Sequence, residues 1–401
     1  MQIKCDITVF SSDKIRQNTT VNLQSKLLKK NLDIAESISY PPLINSHDHL
    51  IGNWIPRAGK NRHYKTTDVW VEEMKTSASY LERNKIWKHD GSWDLTKGRV
   101  KLLAHLGIYK NIFSGCIAVQ DHEPKQKHEY YQSFPIKVIE KYTQCHSLSL
   151  GNWWGGKSAK EEWLDSRGEM PFILHLAEGI DEAAKQDFKK LEAEGLLQPN
   201  TLIIHGISLK KEEIRKCAEA GTSICICPGS NMFLIGKTID VDTCQKYGVN
   251  LVLGTDSTMS GNLNLLQEIK YISELFPKLT SKEIYKMCTE NAAKALFLPP
   301  TFGKLNQETP HLLVTRKLHE DPFKNLTKIK HNDIKLLVYN GLPLWGDKKL
   351  LASFEIEISN YYFFPTKTTE KFIYGHPEKT TQEIDEILRY HKKFPFLAYH
   401  A

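Results

Sequence analysis

Between about residues 41 and 300 the chain repeats one pattern, a short apolar run ending in polar residues or glycine, followed by a stretch with helical spacing. The runs are PPLINSHDH, FSGCIAVQDH, QCHSLSLG, PFILHLAEG, NTLIIHG, TSICICPGSN and NLVLGTDS. Near-continuous apolar runs of this length fit strands buried on both faces. Between them, DEAAKQDFKKLEAEG puts Ala184, Phe188 and Leu191 on one face, with Asp181 as N-cap and Gly195 as stop. SLKKEEIRKCAEAG is expected to open at Ser208 and close at Gly221. TSKEIYKMCTENAAKALF carries the capping-box pair Thr280 and Glu283. Strand and helix in alternation imply a parallel sheet with right-handed crossovers.

The expected fold is therefore α/β, a (β/α)8 TIM-type barrel over residues 41–300. Seven runs are clear where a closed barrel needs eight strands, and the eighth is sought in FPIKVIEKYTQCHSLSL, where Ile136 to Tyr142 could be separate from a strand ending at Leu150. Residues 1–40 hold β-prone pieces such as IKCDITVF. Residues 301–401 turn to HLLVTRKL, DIKLLVYNGLPLWGD and SFEIEISN, short strands without crossover helices. These two ends are expected to form a small composite β-sandwich, with a tail after it.

Composition narrows the class. With 401 residues, 40% hydrophobic and 25% charged, the chain is globular rather than disordered or fibrous. A surplus of +7 is small for a nucleic-acid binder of this length, so no nucleic acid is expected as partner. No window approaches a membrane span, and the start MQIKCDITVF lacks the pattern of a signal peptide. The eight cysteines are scattered without a CxxC pair, as in a reduced cytoplasmic protein. Cys225 and Cys227 read as buried small hydrophobes. A small-molecule substrate is the expected partner, and a homodimer is left open.

The chemistry lies at the C-terminal ends of the apolar runs, where parallel barrels place their active sites. His47 and His49 are two apart at a strand end, so both imidazoles point to one side and can share a cation. His175 ends PFILH, His205 ends TLIIH and Asp256 ends LVLGTD. One such histidine would ordinarily be a hydrogen-bonded core or surface residue. Five residues of metal-ligand type at the tips of four runs are hard to attribute to chance, even with 16 histidines in the chain.

Through these residues the sequence resembles the amidohydrolase superfamily of metal-dependent hydrolases, in its aminohydrolase and deaminase branch. The ordered motifs are the HxH of His47 and His49, HLAEG from His175 to Gly179, IIHG around His205, CPGSN from Cys227 to Asn231, and GTDS from Gly254 to Ser257. His205 follows His175 by 30 residues and Asp256 follows His205 by 51, spacings similar to those of the branch. The resemblance implies that His47, His49, His175 and Asp256 bind one divalent metal. It further implies that His205 bonds the metal's water or the substrate, and that Glu178 is the proton shuttle. Zinc suits the imidazole-rich set, and Fe²⁺ would also be accepted. Binuclear relatives carry a carboxylated lysine on the fourth strand, and no lysine between Val119 and Phe172 sits at a strand end, so one metal is expected. Asp256 can take the water's proton while Glu178 delivers one to a ring nitrogen. Glu178 would also be at home structurally, in the first turn of the helix that follows.

Substrate contacts are assigned to His122, which ends VQDHEP, to Trp153 in GNWWGG as a stacking surface, to Asn231 by resemblance, and to Arg57 in the basic loop LIGNWIPRAGKNRHYK. That loop either draws an anionic substrate or faces water. LIGNW departs from the small-residue and methionine-containing stretch usual after HxH in the branch, which weakens the substrate assignment and not the metal one. The expected reaction is deamination of an aminated heterocycle of purine, pyrimidine or pterin type. Hydrolysis of a cyclic amide at the same metal uses the same residues. A non-catalytic barrel module would have no need of Glu178.

Overall fold

The two ends of the chain meet in one sheet. The computed structural model describes residues 1–55, 57–87, 94–148, 151–152 and 154–400. The N-terminal part supplies β1 (Gln2–Ser11), β2 (Lys14–Leu23) and β3 (Leu32–Tyr40). The middle supplies β4 (Leu43–Asp48), β5 (Cys116–Asp121), β6 (Lys137–Val138), β7 (Thr143–Ser147), β8 (Phe172–Leu176), β9 (Thr201–His205), β10 (Ser223–Ile226) and β11 (Asn250–Leu253). The last part supplies β12 (Glu308–Thr309), β13 (Leu312–Arg316), β14 (Ile334–Tyr339), β15 (Leu342–Asp347), β16 (Tyr361–Pro365) and β17 (Glu370–Tyr374).

The nine strands of the two ends run in the order β12-β2-β1-β3-β13-β14-β15-β17-β16. The join is the antiparallel pair β3 and β13, with Tyr40 opposite Leu313. Because that pairing is continuous, the unit is one hydrogen-bonded sheet and not the two sheets that a sandwich implies. Val21 on β2 and Phe372 on β17 nevertheless belong to one buried cluster on its face. The β14–β15 hairpin turns on Asn340 and Gly341, at φ 48° and 75°, the left-handed pair that a two-residue hairpin loop of this type requires.

The strands β4 to β11 are parallel neighbours in chain order, laid out as a three-stranded sheet β4-β5-β6 and a five-stranded sheet β7 to β11. A seam links the last strand to the first: the Thr255 and Asp256 N–H groups donate to the His47 carbonyl at 2.9 and 3.1 Å. No ladder joins β6 to β7 among the described residues. The arrangement is of TIM-barrel type with an additional β unit. The segment expected to hide the eighth strand does hold two strands, but β6 has only two residues, too few to show a periodicity.

Helices pack outside this sheet. Glu182–Ala193 opens at Asp181, whose carboxylate accepts from the Ala184 N–H, and buries Ala184, Phe188 and Leu191. Lys211–Ala220 starts three residues later than expected from Ser208, because the Glu213 side chain accepts from the Lys210 N–H, and it closes at Gly221 with φ 73°. The capping box Thr280–Glu283 opens Ser281–Met287, and a break at Cys288–Thr289 separates it from Glu290–Ala295. The long helix Val100–Phe113 is buried almost all round. The C-terminal tail covers part of this side of the molecule: the Phe394 ring is tilted against Trp54 at 5.3 Å and Tyr399 lies edge-on to Phe113 at 6.4 Å. No described helix is long and apolar enough to cross a membrane, and all eight cysteines are buried free thiols.

Candidate metal centre

The site begins with the alternation of side chains at the end of β4. Successive side chains point to opposite faces, so His47 and His49 turn one way and Asp48 the other, toward the helix Val100–Phe113. There Asp48 meets Lys110 at 3.1 Å and accepts from the Asn53 and Asn111 amides at 2.9 Å each. Lys110 also donates to Asn53 at 2.7 Å, to the Thr255 hydroxyl at 3.0 Å and to the Asp256 carbonyl at 3.0 Å. Both charges are fully buried, and the network ties the tip of the first barrel strand to that of the last.

On the other face the imidazoles gather. Ring centroids of His47 lie 5.0 Å from those of His49 and of His175, and 5.9 Å from that of His205. Each of three rings has one nitrogen held from behind: His47 Nδ1 by Gln120 Oε1 at 3.4 Å, His49 Nδ1 by Glu123 Oε1 at 3.3 Å, His175 Nδ1 by the His146 carbonyl at 2.9 Å. Such partners fix the tautomer and leave Nε2 as the ligating atom. The ligand atoms of His47, His49 and Asp256 lie within 4.8 Å of one another, and so do those of His47, His175 and His205. Asp256 is held by Ser230 and Ser260 at 2.8 and 3.1 Å on one oxygen, and by the Ser257 N–H at 2.6 Å on the other.

Backbone strain aims these groups. Ala177, His205 and Asp256 have φ of 55°, 71° and 54°, left-handed values that cost non-glycine residues about 1–3 kcal/mol each. Gly254 meets a different demand: a Cβ there would lie 2.7 Å from the His47 Cβ and 2.9 Å from the His47 carbonyl. Gly254→Ala is therefore expected to lose about 1–3 kcal/mol of stability through overpacking, read as a lowered urea midpoint, and to weaken metal retention because the His47 tip must shift.

The electrostatics fit a cation. Burial works against charge on His49, yet Glu123 and Asp256 beside it raise its imidazole to about 9. Burial alone would raise Asp256, but the charged His49 beside it and the Ser230 hydroxyl hold it well below the usual carboxylate range. Burial lowers His47 and His175 well below the ordinary imidazole value, so both are neutral donors. His47 Nε2 and His205 Nε2 are buried with no hydrogen-bond partner. Neutral imidazoles, a carboxylate and unused buried nitrogens form a donor set suited to a divalent metal.

Glu178 stands at the rim, its Oε1 3.3 Å from His205 Nε2, with burial pushing its carboxyl above the ordinary range. It is held in place by the strand-like contact between Thr66 and Gly179, backed by the Ile180 N–H donating to the Lys65 carbonyl at 2.8 Å. The loop that follows His49 is thus fastened to the turn that carries Glu178.

The sequence-assigned residues His47, His49, His175, His205, Asp256, Glu178 and His122 come together. His122 is buried, its ring 4.4 Å from that of His175. Three substrate assignments fare differently. Asn231 has both ends of its amide engaged, accepting from His205 at 2.7 Å and donating to Thr238 at 2.9 Å, so the structure makes it the residue that orients His205. The Arg57 guanidinium donates to the Gly261 carbonyl at 2.8 Å and lies over Phe233 at 4.9 Å, bound to a neighbouring loop instead of reaching the histidines. Trp153 lies outside the described residues. In the same basic loop Lys60 and Arg62 both pair with Glu73, which offsets part of its charge.

Sequence reading passed over four residues. His146 stands near the end of β7, its ring 5.0 Å from that of His175, and the strand-end rule that singled out His175 would have found it. Gln120 and Glu123 flank His122 in VQDHEP. Lys110 had no signal, because a lysine in an apolar helix reads as a solvated residue until its partner is known.

Comparison with known proteins agrees with this geometry. A model of the amidohydrolase family matches residues 137–344. The 5-methylthioadenosine/S-adenosylhomocysteine deaminase of Pyrococcus furiosus is 30% identical, over 88% of this chain and 95% of its own length. The protein of the same description from Pyrococcus abyssi is 38% identical over 67% of this chain and 71% of its own. Among solved structures, a zinc-bound atrazine chlorohydrolase from Arthrobacter aurescens has a TM-score of 0.72 at 15% identity, covering 96% of this chain and 99% of its own. A zinc-bound adenosine deaminase from Xanthomonas campestris has a TM-score of 0.68 at 15% identity, covering 85% and 92%.

Proposed function

This chain belongs to the amidohydrolase family, and from that premise we propose that it is a zinc-dependent deaminase of a purine nucleoside, of the adenosine type modified at the 5′ position. It is a hydrolase of carbon–nitrogen bonds other than peptide bonds, acting on an aminated heterocycle. The observation that carries the reading is the juxtaposition of the His47, His49 and Asp256 set with Glu178, whose carboxyl stands 3.3 Å from His205. The substrate class follows the relatives from Pyrococcus, described as acting on 5-methylthioadenosine and S-adenosylhomocysteine.

His47, His49, His175 and Asp256 would hold the zinc. When bound, it supplies Lewis acidity, bringing the pKa of water from 15.7 to about 7. The remaining work falls to this chain's own side chains. Glu178, kept protonated to higher pH by burial, donates to the ring nitrogen beside the carbon under attack, which makes that carbon electron-poor. Asp256 is ionised and accepts the proton released by water, then passes it to the departing amine. Asn231 accepts from His205 Nδ1, which leaves the Nε2 lone pair aimed at the Glu178 carboxyl 3.3 Å away, able to take that group's proton and return it. His122, whose ring lies 4.4 Å from that of His175, is the member of this group assigned to the heterocycle.

The test is an ammonia-release screen of the purified protein over aminated heterocycles that include 5′-methylthioadenosine, S-adenosylhomocysteine and 5′-deoxyadenosine, with parallel detection of ring-opened products. Ammonia from a 5′-modified adenosine, about one tightly held zinc per chain, and loss of activity on chelation are expected. Ring-opened product without ammonia, or no turnover with zinc present, overturns the reading.

A further inference from the structure

The histidines at the barrel mouth form more than one cation-sized set. His47, His49 and Asp256 make one triad, and His122, His146 and His175 make a second that shares no residue with it, each with its ligand atoms within 4.8 Å of one another. In the second triad His122 is 1% exposed and neither of its ring nitrogens has a hydrogen-bond partner. A buried imidazole with both nitrogens unused forfeits the hydrogen bonds it made with water, unless a ligand restores them. Its ring lies 4.4 Å from that of His175 and 6.2 Å from that of His146, and His146 and His175 are 5.0 Å apart.

We propose that His122, His146 and His175 form a second zinc site, filled only at excess zinc, which inhibits the enzyme by drawing His175 from the first. The His175 Nδ1 donates to the His146 carbonyl at 2.9 Å, so only Nε2 can bind metal, and one lone pair serves one ion at a time. In the two-zinc state the first ion keeps His47, His49 and Asp256, while the second takes the three imidazoles. No bridging lysine is required. The second site is the weaker because His122 has no partner behind it, whereas His47 and His49 are braced by Gln120 and Glu123. Loss of such bracing lowers affinity by about 10–100-fold.

Equilibrium dialysis of the purified chain against graded zinc reads the sites without reference to turnover. Two equivalents per chain are expected, the second at least about tenfold weaker than the first. His122→Ala should bind the first and lose the second. Where circular dichroism finds His122→Ala unfolded, His122→Gln serves with the same readout. In the wild type the rate should fall at least about tenfold as the second equivalent fills. Each variant, referred to its own rate at one equivalent, should lack that fall. The inhibition arm rests on His175 serving the catalytic zinc, and the stoichiometry arm does not. Saturation at one equivalent, or a second equivalent of unchanged affinity in the His122 variants, overturns the proposal and leaves the deaminase reading intact. Absence of any tight equivalent overturns that reading instead.

Discussion

Replacing Glu178 by Gln should leave zinc content unchanged and lower turnover by about 10²–10⁴-fold, the range of a lost general acid–base group. The carboxyl is none of the atoms in the metal-sized sets, so the metal has no reason to leave. Glutamine keeps the side-chain length and the fastening of loop to turn between Thr66 and Gly179. What it cannot do is give up a proton and take it back. Metal analysis and steady-state kinetics on one preparation separate the two effects. A variant of undiminished rate would remove Glu178 from the mechanism, and one that has lost its metal would make it a structural support of the site.

The largest effect on stability is expected at Lys110. Lys110→Met removes the ammonium facing Asp48 at 3.1 Å, at a position where neither side chain reaches solvent. Leaving one partner of a buried pair uncompensated costs about 3–5 kcal/mol, read as a drop in the urea midpoint at unchanged slope. Adding Asp48→Asn should recover part of the loss, because the charge disappears while the amides of Asn53 and Asn111 keep an acceptor. Zinc retention should weaken as well, since Lys110 bridges the strand tip of His47 and His49 to the carbonyl of Asp256. An unchanged midpoint would mean that Asp48 is satisfied by its amide partners alone.

Lys110 marks where sequence reading stops. His47 and His49 were legible because a spacing of two on a strand is a local rule, and His175, His205 and Asp256 because each closes an apolar run. His122 was legible on the same ground. His146 obeys the rule too, but its strand was expected to end at Leu150, which put the histidine inside the strand instead of at its tip. Asn231 was marked as a substrate contact, and the structure shows it bonded to His205 and Thr238. Its position by motif placed it at the site, whereas its bonds to His205 and Thr238 depend on the approach of separate elements. Arg57 was placed by loop membership, and the loop turned its guanidinium toward Gly261.

The alternation of apolar runs and amphipathic helices determined by itself that the middle of the chain is a parallel α/β unit with its polar tips on one rim, because burial of both strand faces is a property of each segment alone. It determined as well which residue types crowd that rim. Only the tertiary structure decided that the two ends share one continuous sheet, that a buried Lys110 locks the first and last strand tips, and that the imidazoles at the mouth divide into overlapping sets. Those outcomes depend on distances between residues far apart in the chain. Such distances are set by packing, and no local pattern encodes them.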